Sequence, residues 1–526
     1  MINPNLKISI MQRDGKNRSI WQEVVSKAST ANPHIKQYSV IIIGGGITGM
    51  TTALQLQEQK KSCVILEANQ IGFGTTSGTS AHLNTVLDTP YSQIIKQHGI
   101  EKAKEVLESA REAIAHISRN IEHYQISCDF MTCSGYMYAE DEEQEGELME
   151  IKKAIHQVGI ACEEVFETPL PVGCVYAIKF EEQGRFHPTK YLMGLQKAFV
   201  ALGGQVIENT LVQQVQEEHH RFQVKTADGQ VFLTDAVVYA THTPPGVQFM
   251  NLRLVPYRSY IQVWELDERE IYPRDLVYDM KDPFHYFRTV LYKGKSCLMV
   301  GGQDHKTAHH DNEQQNFLEL EAFVKKLFSV KRKLYQWSSQ YYESQDSLPF
   351  IGYYPGKGQR NEFIATGFGG NGMIFGTLSG RMITNLIQEG KCNYQELYAP
   401  ARIGPIAAFQ DVLREQTDVV KHFVQDRCAV ERIEGFAEMS RGEGKVLKYE
   451  GERIGLFKDE NGKVFGVNPV CRHISCIVKW NNAEQSWDCP CHGARYAADG
   501  NLLNGPAVAP LKRWNFRADE LLPGLG

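Results

Sequence analysis

Nowhere in the 526 residues does an apolar run reach the roughly 18 residues that a membrane-spanning helix needs, so no span is expected. Excess positive charge is missing as well. The 56 Lys and Arg stand against 62 Asp and Glu, and a net charge of −6 leaves no basic footprint for nucleic acid. Residues 1–37 hold Lys and Arg but no apolar core of a leader, so they do not read as a secretory signal, and the cytoplasm is the expected location. An apolar fraction of 42% and a charged fraction of 22% exclude a disordered chain. The length exceeds one ordinary core, so two to four domains are expected. Cysteine is not scarce. Eight of the 12 are scattered (Cys63, Cys128, Cys133, Cys162, Cys174, Cys297, Cys392 and Cys428), as buried free thiols usually are. The other four crowd between Cys471 and Cys491, where a disulfide framework is the wrong reading for most of them.

The chain is organised around residues 38–67. Tyr38-Ser39-Val40-Ile41-Ile42-Ile43 has the apolar, β-branched run of a buried parallel strand. Gly44, Gly46 and Gly49 follow at G-x-G-x-x-G spacing, through Ile47 and Thr48, and a helical apolar pattern runs to Leu56. A second strand, Cys63-Val64-Ile65-Leu66, ends in Glu67. Strand, glycine turn, helix, strand and acid in this order describe a dinucleotide fold. Gly44 permits the turn, Gly46 lets the backbone approach a pyrophosphate, and Gly49 lets the helix lie on the strand. The helix N-terminus supplies N–H groups for the phosphates, and Glu67 can accept from the adenosine ribose. The alternative is a tight strand-to-helix turn without a ligand. Gly74-Thr75-Thr76-Ser77-Gly78 comes just after the acid and offers further backbone and hydroxyl donors, against the plainer reading of a surface loop.

An amphipathic helix is predicted over 100–124, short strands near 129–138 and 175–180, and a helix over 190–202. Strands are expected at 205–208, 211–212 and 236–241, antiparallel ones at 258–265 and 285–300, and a helix over 313–328. Gly367-Phe368-Gly369-Gly370-Asn371-Gly372 repeats the glycine spacing ahead of a helix through 387. No acid-ended strand follows it, so it is not read as a second nucleotide site.

Residues 38–400 resemble the D-amino-acid oxidase-type (glycine/sarcosine oxidase-like) FAD oxidoreductases. The resemblance rests on the Gly44–Gly49 turn, Glu67, the Gly74–Ser77 loop, Phe186-His187-Pro188, Val212, Ala240-Thr241, 346–352 and Gly367 to Met373. It implies FAD as cofactor, with Gly44, Gly46, Ile47, Thr48, Gly49, Glu67, Thr75, Thr76 and Ser77 around the nucleotide. It also implies Val212 at the adenine, and Asn371, Gly372 and Met373 where the last glycine turn caps the flavin ring. One branch of the family attaches its flavin through a His just after the Gly-Thr-Thr. That position here is Gly78.

Near the other end stand Cys471-Arg472-His473 and Cys489-Pro490-Cys491-His492. Cys₂His₂ is a common zinc set. Three features argue otherwise: each half pairs one Cys with one His, each half holds an additional Cys, and Gly505-Pro506-Ala507 supplies a proline loop. Together they resemble the Rieske [2Fe–2S] domain over residues 432–526. The resemblance implies Cys471 and Cys489 on one iron, His473 and His492 on the other, and a disulfide between Cys476 and Cys491 as in the cytochrome bc-complex type. Where that type carries a Ser after His-Gly, this chain has Ala494, while Tyr496 matches the Tyr that bonds a ligand sulfur.

The expected architecture is an α/β FAD-binding Rossmann-type domain interleaved with an antiparallel-sheet substrate domain, plus a small all-β Rieske domain. The expected boundaries are an extension 1–37, then an oxidoreductase over 38–400, a helical linker 401–431 and the Rieske domain 432–526. Within the oxidoreductase, 38–100, 185–250 and 345–400 are assigned to FAD binding, and 101–184 and 251–344 to the substrate domain. The expected function is oxidation of a small amine or amino acid, with electrons passed through the cluster to an external acceptor. The alternatives are a reductase driven by NADH or NADPH, and a non-catalytic redox sensor. Tyr257, Arg258, Tyr260, His285, Tyr286, Arg288, Asp304, His305 and Lys306 are the substrate-side candidates, an Arg among them as a clamp for a carboxylate.

Overall fold

In the computed structural model, residues 13–23, 37–246, 249–356, 360–402, 439–449 and 451–514 are described. The expected helical linker over 401–431 lies almost entirely outside them, as does most of the stretch before residue 37.

The β-branched run of Gln37–Ile43 forms a strand at the centre of an eight-stranded sheet. It pairs in parallel with Cys63–Leu66 on one side and with Val231–Tyr239 on the other. Gln205–Ile207 and Glu362–Thr366 extend the parallel part at either side, and Phe350–Tyr353 closes one edge antiparallel. Helices Ile47–Glu58 and Gly372–Glu389 pack together on this sheet, burying Met50, Leu54, Ile374 and Leu378.

A second sheet has nine strands. Leu254–Leu266 lies between Val330–Ser344 and Lys295–Lys306, all antiparallel, and His285–Tyr292 follows. One parallel pairing, Leu276–Asp279 with Met131–Ala139, makes the sheet mixed where antiparallel strands were expected. Short strand His82–Leu83 also joins this sheet, although it comes from a stretch assigned to FAD binding. Period-two alternation divides the two longest strands between two tasks. Ser259, Ile261, Ser339 and Tyr341 line a cavity, whereas Arg258, Ser338, Gln340 and Tyr342 bond toward the other side.

The third unit is all antiparallel: Gly444–Tyr449, Glu452–Lys458 and Val464–Val467 in one sheet, and Lys479–Asn481, Ser486–Asp488, Arg495–Ala497 and Leu502–Asn504 in the other. It docks on the second sheet through a buried seam of charges. Arg495 bonds Asp488 (3.1 Å) and Asp14 (3.1 Å), Arg258 pairs with Asp488 (3.5 Å), and Glu484 accepts from the Ser338 N–H (2.7 Å) and hydroxyl (2.8 Å). Residues 13–23 therefore do more than cover the first domain. Arg13 reaches Glu484 and the Ser338 carbonyl, while Ser19 and Trp21 donate to the carbonyls of Ser77 and Thr79.

Candidate functional site

A cavity of about 320 Å³ opens between the two sheets. Its first end is the glycine turn. A Cβ on Gly49 would fall 2.0 Å from the Gly44 carbonyl oxygen, so helix and strand meet only because the side chain is absent. Thr76 Oγ1 accepts from the Ile47 N–H (3.2 Å) at the first turn of the helix. Glu67 accepts from the N–H groups of Gly45 (2.7 Å) and Asn69 (2.8 Å). Burial raises its carboxyl above the usual range, against the pull of those donors.

Of the nucleotide residues proposed from sequence, Gly44, Gly46, Ile47, Thr48, Glu67, Thr75, Thr76, Val212, Gly372 and Met373 line this cavity. Gly49, Ser77 and Asn371 are not among its lining. Gly49 faces the strand, the Ser77 carbonyl is tied to Ser19, and the Asn371 side chain accepts from the Asp88 N–H (3.1 Å). The second glycine turn opens on the same cavity through Phe368, Gly369 and Gly370, so it completes one site rather than building another. A Cβ added at Gly74 or Gly372 would meet no protein atom within 4 Å. Open space against bare backbone, a helix N-terminus and an acid at a strand end together fit FAD.

The far wall belongs to the second sheet: Ser259, Ile261, Tyr286, Asp304 and Tyr341, with His82, Asn84, Asp88, Tyr278 and Phe284 beside them. Among the sequence candidates only Tyr286 and Asp304 line the cavity. Arg258 turns to Ser338 and Asp488, and Arg288 donates to the carbonyls of Ser80, Ala81 and Phe186. His285 pairs with Asp279 (2.7 Å), and His305 with the Tyr260 hydroxyl (3.0 Å). Tyr257 stacks on Tyr341 from outside the lining. Lys306 is not in the lining either. His82 and Asp88 carry no sequence signal, since one stands in a two-residue strand and the other in the connection after it, both placed only by the folded chain.

At the third unit, Cys471 and Cys489 are free thiols, buried, and in contact with each other. His473 and His492 lie with ring centroids 4.9 Å apart. His473 Nε2 meets the Gly246 carbonyl (3.2 Å) and Asn251 Nδ2 (3.1 Å), so the polar contacts of this ring fall on one nitrogen and leave Nδ1 without any. That Nδ1, and both ring nitrogens of His492, are buried without a hydrogen-bond partner. Burial holds both imidazoles neutral, His492 with its pKa near 3. Two thiols and two neutral imidazoles with orphaned nitrogens fit a [2Fe–2S] cluster with mixed ligands. Cys476 and Cys491 are joined by a disulfide, so they offer no thiolate. Tyr496 accepts from the Arg472 N–H (3.0 Å), and its hydroxyl is within hydrogen-bond reach of Cys471 Sγ at 3.3 Å. Ala494 is fully buried.

The two sites share a wall. Leu502, Leu503, Asn504, Gly505, Ala507 and Val508 line the large cavity. Tyr342 donates to the His492 carbonyl (3.2 Å), and its ring meets that of cavity-lining His242 at 4.8 Å. Gln340 donates to the Gly493 carbonyl (2.8 Å). Gly493 lies so close to Pro256 that a Cβ would approach it to 2.7 Å.

These features define a flavin oxidoreductase carrying an iron–sulfur unit. The chain belongs to the FAD dependent oxidoreductase family, which matches residues 39–386, and the Rieske [2Fe-2S] domain matches residues 432–515. Its cofactors are accordingly FAD and a [2Fe–2S] cluster. It is similar to the Rieske 2Fe-2S iron-sulfur protein YhfW of Bacillus subtilis (strain 168), 29% identical over 90% of this chain and 92% of that one. It is 26% identical to gamma-glutamylputrescine oxidoreductase of Escherichia coli (strain K12), over 66% of this chain and 83% of the relative. The fold also matches the crystal structure of glycine oxidase from Geobacillus kaustophilus, with a TM-score of 0.58 and 19% identity over 70% of this chain and 99% of that one. Among the described residues no helix is long and apolar enough to cross a membrane.

Proposed function

We propose that the protein oxidises a small amine or amino acid at FAD and passes the electrons, one at a time, through the cluster to an external acceptor. The observation that carries this reading is the shared wall: the 502–508 segment of the iron–sulfur unit lines the same cavity as the nucleotide turn. In this reading Cys471 and Cys489 hold one iron, and His473 and His492 the other. FAD, when bound, accepts a hydride equivalent from carbon, and the cluster carries single electrons.

The chain's own residues orient and separate these groups. N–H groups at the start of helix Ile47–Glu58 take the pyrophosphate, and Glu67 takes the ribose. Gln340 and Tyr342 hold the 492–493 loop against the sheet, which fixes the distance between the two centres. His492 is 3% exposed, so an acceptor approaches instead through the loop of Cys471 and His473, where Val470 and Arg472 reach solvent. The E. coli relative is named for an amine-containing substrate, which supports the substrate class. A cytoplasmic location is part of the same proposal; the Cys476–Cys491 bridge, of a kind rare in that compartment, is compatible with it because burial shields both sulfurs from soluble thiols.

The test is anaerobic mixing with a panel of amines and amino acids. One of them is expected to bleach the flavin, and the electron paramagnetic resonance signal of the reduced cluster then grows. If NADH or NADPH alone reduces the flavin, the reductase reading replaces this one. If the flavin bleaches while the cluster stays oxidised, the electron route is wrong.

A further inference from the structure

The far wall of the cavity contains no fixed positive charge. Among the described residues that line it there is no Lys and no Arg. The buried arginines of the adjoining strands are committed elsewhere, Arg288 to the carbonyls of Ser80, Ala81, Phe186 and Thr289, Arg258 to Ser338 and Asp488, and Arg185 to the Thr289 carbonyl. What the wall offers instead are carboxylates, Asp304 and Asp88, and hydroxyls.

Two acceptors on this wall are left open. Tyr341 donates to Asp304 Oδ2 (2.9 Å), whereas Oδ1 is buried with no hydrogen-bond partner of good geometry. His82 is 8% exposed and its Nδ1 bonds the Tyr278 hydroxyl (2.8 Å). That hydroxyl gives its single hydrogen to Asn84 Oδ1 (3.1 Å), so the imidazole must donate from Nδ1. Its Nε2 is then a lone pair without a partner. A buried acceptor left unmet costs free energy, and an N–H donor removes that cost. Asp88 lies against the second glycine turn, where a Cβ on Gly370 would fall 1.7 Å from its Oδ2.

Resting on the reading that substrate meets FAD in this cavity, we propose that the substrate is an amine bound as its cation and lacking a carboxylate beside the nitrogen, with Asp304 as the anion that selects it and His82 Nε2 as a second acceptor. A substrate carboxylate here would lose its water without gaining a cation, and would face Asp304 and Asp88. An ammonium group meets the opposite balance. Burial pushes the Asp304 carboxyl up to about 7, against the pull of the Ser259 and Tyr341 hydroxyls, and a bound ammonium would favour its anion again. Burial, with the charges of Arg288 and Arg185 behind it, holds His82 neutral and so an acceptor.

The test uses oxidised holoenzyme and needs no turnover. n-Butylammonium, butyrate and glycine are titrated against the absorbance of the bound flavin and, in parallel, by calorimetry. Saturable binding of n-butylammonium alone is expected. Asp304→Asn, which keeps the shape of the side chain, should weaken that binding by about tenfold or more, the size of a charge-assisted hydrogen bond. His82→Gln should weaken it less. The inference is overturned if butyrate or glycine binds as tightly as the ammonium, if nothing binds, or if neither substitution alters the affinity. Glycine that binds, bleaches the flavin and reduces the cluster would sink this inference and leave the electron route standing.

Discussion

The second sheet treats carboxylates in opposite ways on its two faces. On the cavity face, Asp304 and Asp88 have no cation, and desolvation raises them to about 7 and about 6. On the seam face, Asp14 and Asp488 are more deeply buried than either, at 2% and 0% exposed, yet they are held below the usual range. Burial pushes those two up as well, but Arg495, with Arg13 beside Asp14 and Arg258 beside both, outweighs it. Arg258 and Ser259, adjacent on one strand, therefore stand in electrostatically opposed surroundings, because their side chains point to opposite faces. The comparison shows where the arginines went. A residue type that sequence reasoning assigns to substrate is used here to hold two modules together.

The largest expected effect removes the cluster from the unit that the seam holds in place. Cys489→Ala should abolish the cluster and leave FAD bound, because the nucleotide turn lies on a separate core. Iron and sulfide analysis beside the flavin absorbance decides it, and loss of both cofactors together would show that the two faces are one cooperative unit.

Next comes Arg495→Met, which strands Asp488 and Asp14 without their nearest cation. Breaking a buried ion pair on one side costs about 3–5 kcal/mol. Denaturant unfolding followed by loss of the cluster should show that cost, whereas Asp304→Asn on the cavity face should leave the midpoint unchanged or raise it slightly at pH 8.

The two faces should also respond oppositely to pH. Asp14 and Asp488 have folded values below the unfolded value of about 3.9, so their contribution is present above that value and is lost as pH falls through the folded ones. Asp304 and Asp88 have raised folded values. Their contribution is fully present below about 3.9 and is lost as pH rises through about 6 to 7. Unfolding midpoints measured from pH 3 to pH 8 should rise on leaving acid. In Asp304→Asn the later decline toward pH 8 should be shallower, and an unchanged profile would contradict the assignment.

The smallest effect lies within the cluster site. Tyr496 bonds Cys471, but Ala494 has no hydroxyl for a cluster sulfur. A donor stabilises the added negative charge of reduction, so Ala494→Ser should raise the midpoint potential and Tyr496→Phe should lower it. One hydrogen bond of about 0.5–1.5 kcal/mol corresponds to about 20–60 mV for one electron. Redox titration by electron paramagnetic resonance checks both signs.

Local pattern carried much of this. The β-branched run and glycine turn are legible because one strand, one turn and one helix are contiguous. The Cys and His spacing is legible because two short loops supply every candidate ligand. Strand Val330–Ser344 is not legible. Both of its faces meet polar groups, so Ser338, Ser339, Gln340 and Tyr341 show no apolar alternation. The direction of Arg258 and Arg288 was equally hidden, since a shift of one residue in register reverses the face. Burial of Asp14 depends on Arg495, and no local pattern connects them.

That last pairing has a bearing on how the chain is made. Asp14 and Arg495 are separated by 481 positions, and Asn504 reaches the same carboxylate. During synthesis, domains fold in order as they emerge. The flavin-binding half can therefore collapse early, while residues 13–17 wait for partners that are translated hundreds of codons later. Until then Arg13 and Asp14 lack Glu484 and Arg495. Closure of this strap thus waits until residues 484–504 have been translated, and a product truncated before them would expose it to proteases.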